Sequence, residues 1–151
     1  MPAFSIRPAR LDERRALEEL QRRASLENPN DREAILAHPE VIELPDAQLA
    51  GGHVFVAVSA GIQLGFSVLL PRDDGDIELD GLFVDPSLWR SGVGRGLAEH
   101  AIGEAKVLGA KAIHVIGNPH AEGFYEAVGF VTIGVTQTRF GPALLMRLPV
   151  A

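Results

Sequence analysis

Chemistry is most visible between Val84 and Leu97, in the run Val84-Asp85-Pro86-Ser87-Leu88-Trp89-Arg90-Ser91-Gly92-Val93-Gly94-Arg95-Gly96-Leu97. Gly92, Gly94 and Gly96 alternate where a loop opens into an amphipathic helix. Without a Cβ, a glycine lets backbone N–H groups close on a ligand. The first turn of a helix carries unpaired N–H groups and a partial positive charge. Arg90 and Arg95 add full charges, so the loop reads as an anion site for a phosphate or pyrophosphate. The plainer alternative is a tight strand-to-helix turn that binds nothing. Against it, Gly94 and Gly96 fall inside the helix at about 1 kcal/mol each relative to Ala. A Walker loop requires Lys-Ser or Lys-Thr after its last glycine, whereas Leu97 follows Gly96. The dinucleotide fingerprint requires Gly-x-Gly-x-x-Gly after a first strand, and this spacing and position differ.

Other reactive types are few. Glu78 lies on the strand that leads into the glycine loop, and Asp80 alternates onto the same face. Burial of a carboxylate raises its pKa towards a useful range for a base. Tyr125 is the only tyrosine, with a hydroxyl able to donate a hydrogen bond. Asn118 follows a predicted strand and is able to cap the next helix or bind a ligand. His53, His114 and His120 have suitable ordinary pKa values, but no spacing singles them out from structural histidines.

The elements that must position these groups follow from periodicity. Phe4 to Arg7 alternates as an edge strand, and from Asp12 onward apolar residues recur at helical spacing. Asn28-Pro29-Asn30-Asp31 reads as a breaker, with a short helix at Arg32–Ala37 stopped before Pro39. Val41 to Gly52 is ambiguous. His53–Ser59 and Ile62–Leu70 read as strands joined by Ala60-Gly61, and Ile77–Val84 as a third. Gly92–Leu108 forms the clearest helix, with Val93, Leu97, Ala101 and Ala105 on its apolar face and Gly109 as its stop. Ala112–Ile116 follows as a buried strand, Ala121–Val128 as a short helix, and Phe130–Val135 and Leu144–Leu148 as the last strands. This order predicts one α/β domain over residues 1–151, a mixed sheet flanked by helices on both faces. The crossover through the long helix makes Ile77–Val84 and Ala112–Ile116 parallel.

Composition narrows the class. With 151 residues and 46% hydrophobic content, the chain can bury a sizeable core without staples. It has no cysteine, so disulfides and thiolate metal sites are excluded and a reducing compartment is compatible. The N-terminus lacks the pattern of a signal peptide, and the apolar stretch Val54–Leu70 reads as two strands. A cytoplasmic protein without membrane attachment is expected. The net charge of -6 argues against nucleic acid as a partner. Asp73–Asp85 holds six acidic residues and no basic one, a solvated face or a field that steers a cationic substrate.

The run Glu78–Leu97 resembles the acetyl-CoA-binding core of the GNAT superfamily of N-acetyltransferases, in which a strand ending in Val-x-Pro joins a Gly-x-Gly helix start. The run from Asn118 through Phe124-Tyr125-Glu126 to Gly129-Phe130 resembles the family's second cofactor segment. The likeness covers nearly the whole chain. One position departs: the family often has Gln or Arg three residues after the proline of the loop, and here Trp89 stands there with Arg90 next.

The resemblance implies acetyl transfer from acetyl-CoA to a primary amine of a small molecule or peptide, by direct attack on the thioester and without a metal. Acetyl-CoA would be held by Leu82, Phe83, Val84, Trp89, Arg90, Ser91, Gly92, Val93, Gly94, Arg95, Gly96, Asn118, Phe124 and Tyr125. Glu78, directly or through a water, matches the family's catalytic glutamate, with Asp80 the second candidate. The resemblance gives Tyr125 the role of general acid to the leaving thiolate. Backbone N–H groups near Leu82 and Phe83 would polarise the thioester carbonyl, freed by a bulge at Gly81 or left in place if Gly81 only relieves packing. The acceptor pocket would be built from Ala24–Arg32, Val41–Gly52 and the turn Val135–Ala143. A non-catalytic acyl-CoA-binding module on the same fold stays open, as does a nucleotide-binding module. The chain is expected as a monomer or homodimer.

Overall fold

The computed structural model describes residues 3–151, excepting the side chain of Asn30. In chain order the elements are β1 (Ser5–Pro8), α1 (Arg14–Leu26), α2 (Pro29–Ala37), α3 (Asp46–Ala50), β2 (Val54–Ser59), β3 (Ile62–Pro71), β4 (Ile77–Val84), α4 (Val93–Val107), β5 (Ala112–Gly117), α5 (Glu122–Val128), β6 (Val131–Thr138) and β7 (Gly141–Pro149). Single 3-10 turns at Leu11–Glu13, Pro39–Val41, Pro86–Leu88 and Pro119–Ala121 lead into or join them. The strands are hydrogen-bonded in the order β1-β2-β3-β4-β5-β7-β6. The sheet is mixed: β4 and β5 run parallel, as the crossover requires, while β1–β2, β2–β3, β5–β7 and β6–β7 are antiparallel. None of the described helices is long and apolar enough to cross a membrane.

Two compact units are distinguished. The first comprises the chain up to Val68 together with Gly81–Leu97. The Ala60-Gly61 turn takes positive φ at both residues, +50° and +77°, the twist that a two-residue hairpin demands. Ala57, Leu64, Val84, Val93 and Leu97 form a buried cluster, with Phe4, Ile6, Leu82 and Leu88 packed against it. Gly65 is required by a close approach: a Cβ there would lie 2.7 Å from the Phe83 carbonyl oxygen. The buried carboxylate of Glu13 is fully paired. It accepts two hydrogen bonds from Arg7 at 2.8 and 2.9 Å, one from the Arg10 N–H and one from Gln63.

The second unit comprises Leu69–Asp80 and Ala98–Ala151. Here β5 pairs with β7 from Ala112↔Pro149 to Gly117↔Leu144, and β7 with β6 from Val131↔Arg147 to Thr138↔Gly141. Alternate residues of β5 and β7, among them Ile113, Val115, Met146 and Leu148, are buried. The described β4–β5 ladder registers Ile77 with Ile113 and Glu78 with His114.

Three expectations need correction. Asn28-Pro29-Asn30-Asp31 does not break the chain but starts α2, with Pro29 as its first residue, where its missing N–H costs nothing. The main body of α1 begins at Arg14, because the residues from Leu11 first make a 3-10 turn. Val135–Ala143 is not a long turn: β6 and β7 extend to Thr138 and Gly141, and Thr138 Oγ closes the turn by donating to the Gly141 carbonyl at 2.8 Å. The ambiguous Val41–Gly52 stretch contains α3.

Candidate active site

The glycine loop is held by its own residues. Asp85 accepts from the N–H and the hydroxyl of Ser87, at 3.1 and 2.9 Å. Arg23 of α1 reaches its other oxygen at 3.0 Å. Burial alone would raise the Asp85 carboxyl, but the Ser87 and Arg23 contacts outweigh it and hold the group below the usual range. Trp89, half exposed, folds its indole back so that Nε1 donates to the Val84 carbonyl at 2.9 Å. The end of β4 is thereby tied to the loop. Ser91 donates from both its N–H and its hydroxyl to the Leu88 carbonyl.

Beyond this knot, Arg90 and Gly92 take positive φ, +66° and +97°. For Arg90 that conformation is costly and is sustained only by the surrounding loop. A left-handed residue ahead of right-handed helical ones is a local ingredient of anion-binding backbone nests. The loop runs into the start of α4, where the Gly96 N–H donates to the Gly92 C=O at 2.9 Å. The N–H groups of Val93 and Gly94 precede that bond and remain available to a ligand. The three glycines thus differ. Gly92 supplies the left-handed turn. Gly94 stands half-buried in the first turn of α4. Gly96 spends its N–H on the helix, and a Cβ there would lie 2.7 Å from the Phe4 ring, so its bareness serves packing. Arg90 and Arg95 are exposed, and the Val93 side chain is buried in the core.

In β4 the Val84 side chain is in the cluster with Leu82 packed against it, and Phe83 lies against Phe66 with ring centroids 5.3 Å apart. A Cβ at Gly81 would lie 2.7 Å from the Phe83 ring, so this glycine makes room for that aromatic pair.

The second unit holds Glu78, Asp80 and Tyr125. Glu78 is half-buried and registered beside His114. Asp76 Oδ2 lies 2.9 Å from His114 Nε2, and its other oxygen accepts from the N–H groups of Lys111 and Ala112. The His114 contact, opposed by burial and helped by the two N–H groups, lowers the Asp76 carboxyl. Arg72 holds Asp74 through Nε and Nη2. Asp74, Asp76 and His114 bring ligand atoms within 4.8 Å of one another, yet each is engaged with a protein partner, as an ion-pair network would be. Asp80 is exposed, and its carboxyl is raised by desolvation alone.

Asn118 caps the turn that follows β5, its Oδ1 accepting from the His120 N–H at 2.9 Å. Tyr125 is 8% exposed. Its ring sits edge-on to Phe124 and Phe130, with centroids 5.2 and 5.4 Å away. A Cβ at Gly117 would touch it at 3.4 Å. Burial pushes the Tyr125 hydroxyl up to about 12, so it stays protonated at neutral pH. Among the described residues nothing accepts from it.

Sequence reasoning missed the Arg23–Asp85 tie and the Asp76–His114 pair, whose members are 62 and 38 positions apart. The Asp-Pro-Ser turn was a usable signal for the loop's first half, since Asp two residues before Ser favours a side-chain-closed turn.

Comparison with known proteins supplies the family. The peptidyl-lysine N-acetyltransferase YjaB of Escherichia coli (strain K12) is 38% identical over 92 residues, 60% of this chain and 54% of that protein. The chain therefore spans about half the length of that curated relative. The fold is shared with the PaiA N-acetyltransferase of Thermoplasma acidophilum in complex with coenzyme A, at TM-score 0.78 and 17% identity over 97% of this chain and 99% of that one. It is shared also with YncA of Salmonella typhimurium, solved with acetyl-CoA, at TM-score 0.72 and 20% identity over 99% of this chain and 95% of that one. Residues 14–130 match the Acetyltransferase (GNAT) family, and the chain belongs to that family.

Proposed function

We propose that this protein is an acetyl-CoA-dependent N-acetyltransferase acting on a primary amine of a small molecule or peptide. The observation that carries this reading is the left-handed pair Arg90 and Gly92 in the loop that leads from β4 into the N-terminus of α4. That arrangement suits a pyrophosphate, with Arg90 and Arg95 supplying charge and Ser91 and Trp89 fixing the loop. Asn118 and Phe124 are the proposed contacts of the second segment. The registered β4–β5 pairs lie at Ile77 and Glu78, so the later residues of β4, Leu82 to Val84, are the segment proposed to pair with the amide-bearing arm.

Acetyl-CoA supplies an activated acyl group. The chain's part is positioning and proton handling. An alkylamine with an ordinary pKa near 10.4 carries a proton at neutral pH and must lose it before attack. Glu78 accepts that proton, directly or through one water. A backbone N–H near Leu82 or Phe83 donates to the acyl oxygen as negative charge gathers there. Tyr125 offers its hydroxyl to the departing sulfur. Because burial raises that hydroxyl to about 12, hydrogen-bond donation is easier than full proton transfer to a thiolate of ordinary pKa near 8.5.

Calorimetry with acetyl-CoA, ATP and NAD tests the reading. Acetyl-CoA is expected to bind and Gly94→Glu to abolish it, since a carboxylate would then stand in the nest. Binding of ATP or NAD in its place would refute the transferase. Binding of acetyl-CoA with no turnover across an amine panel would favour a non-catalytic acyl-CoA module.

A further inference from the structure

The Asp76–His114 pair is built unlike a surface ion pair. Both side chains are largely buried, with 16% of His114 and 14% of Asp76 exposed. Three donors hold the carboxylate: the His114 ring on Oδ2, and the Lys111 and Ala112 N–H groups on Oδ1. An ionised carboxylate only accepts, so the proton between them belongs to His114 Nε2, and Nδ1 is the basic nitrogen of the neutral ring. Nδ1 has no hydrogen-bond partner among the described residues. It is not among the described buried nitrogens that lack a partner, so it keeps contact with water. One nitrogen fixed by a carboxylate and the other open is the arrangement that readies an imidazole to take a proton.

Strand register puts that ring beside Glu78. The two residues are partners across the parallel β4–β5 ladder, on strands about 4.8 Å apart, and leave the same face of the sheet. Asp76 stands two residues before Glu78 and shares that face. Glu78 itself makes no hydrogen bond or ion pair among the described residues, and Arg72 acts on it only through space. The remaining charges around the ring are Asp74, which Arg72 holds, the exposed Lys111 ahead of β5, and Arg147, the partner of His114 on β7.

We infer that Asp76 and His114 form a proton relay behind Glu78: the proton that Glu78 takes from the acceptor ammonium passes to His114 Nδ1, and Asp76 stabilises the imidazolium that results. This rests on the transferase reading above and deepens it. The ammonium N–H bond breaks as the Glu78 O–H bond forms. That bond breaks in turn as Nδ1–H forms, and Nδ1 then releases the proton to water while Nε2–H stays on Asp76. Glu78 is thereby returned to the carboxylate for the next amine. In ordinary surroundings an imidazole is a stronger base than a carboxylate by about two pKa units, so the second transfer runs downhill. His114 acts through Glu78 and touches no reacting atom, which makes it a positioning residue.

The test is the pH dependence of kcat/KM at saturating acetyl-CoA, with butylamine or the best acceptor of the amine panel. In the wild type log kcat/KM should rise with pH at a slope of about two and then break to about one, because the amine and His114 must each lose a proton. His114→Gln keeps an N–H for Asp76 but takes no proton. It should abolish the break and lower kcat/KM about 10- to 100-fold above it, with acetyl-CoA affinity within a few-fold. Asp76→Asn should move the break to lower pH, since the imidazolium loses its counter-charge. Profiles of the same shape in the wild type and His114→Gln overturn the inference and leave a structural ion pair. NMR of the His114 ring gives a readout without turnover. Glu78→Gln should move its titration midpoint to lower pH, and an unmoved midpoint overturns the relay. If no amine of the panel is acetylated, the transferase reading itself fails, a result distinct from turnover with an unbroken profile.

Discussion

Phe124 and Phe130 hold the Tyr125 ring edge-on, so Tyr125→Phe keeps the packing and removes only the hydroxyl. A hydrogen bond to a charged group contributes about 1.5–3 kcal/mol. Loss of one formed mainly as the thiolate departs should lower kcat about 10- to 100-fold while acetyl-CoA affinity stays within a few-fold. Single-turnover kinetics beside calorimetry separate the two. The pH–rate profile of the wild type should show no limb from Tyr125 below about pH 11, because its hydroxyl is held near 12. Glu78→Gln should lower kcat about 100-fold or more, within the range of general-base contributions. Its rates should recover partly at high pH, where the amine loses its proton to solvent.

At the scale of elements, two glycines serve opposite ends. Gly65 of β3 faces the Phe83 carbonyl oxygen, and a Cβ there would lie 2.7 Å from a backbone atom that cannot step aside alone. Gly65→Ala should therefore destabilise by about 1–3 kcal/mol, read as a lower urea midpoint. Gly103 lies inside α4 with nothing within 4 Å of the position of a Cβ. Gly103→Ala should stabilise by up to about 1 kcal/mol through helix propensity alone. The α4 helix and β4 are legible in the sequence, because a long apolar stripe and a clean alternation are local patterns. The start of α2 is not, because a proline cluster signals a turn and a helix start alike, and only the packing of Arg32–Ala37 decides between them.

At the scale of the whole molecule, Glu13 contributes to acid stability. The Arg7 guanidinium, aided by Gln63 and the Arg10 N–H and opposed by burial, brings its carboxyl down from 4.5 to about 2. A lowered folded-state pKa means stability that is complete above the unfolded value and is lost as pH falls from about 4.5 through about 2. The contribution is at most about 3 kcal/mol, reduced by solvent at the Arg7 end. Thermal unfolding followed from pH 7 to pH 2 should show the wild type losing stability over that range. Glu13→Gln should start lower and fall less steeply, its remaining slope due to the other lowered carboxyls, Asp74, Asp76 and Asp85.

What the chain alone determined is what short-range pattern encodes. The alternation of β4, the stripe of α4, the glycines that open it and the Asn118 to Phe130 segment are each written within a few turns or one strand, and they were enough for the fold class. What only the tertiary structure decided rests on residues far apart in the chain. Glu13 meets Gln63 across 50 positions, Asp76 meets His114 across 38 and Arg23 meets Asp85 across 62. Strand register and side-chain ion pairs select these partners, and no periodicity carries that information. For the same reason Gly96 reads as a ligand glycine in the sequence, and only the Phe4 ring against it shows that its bareness serves packing.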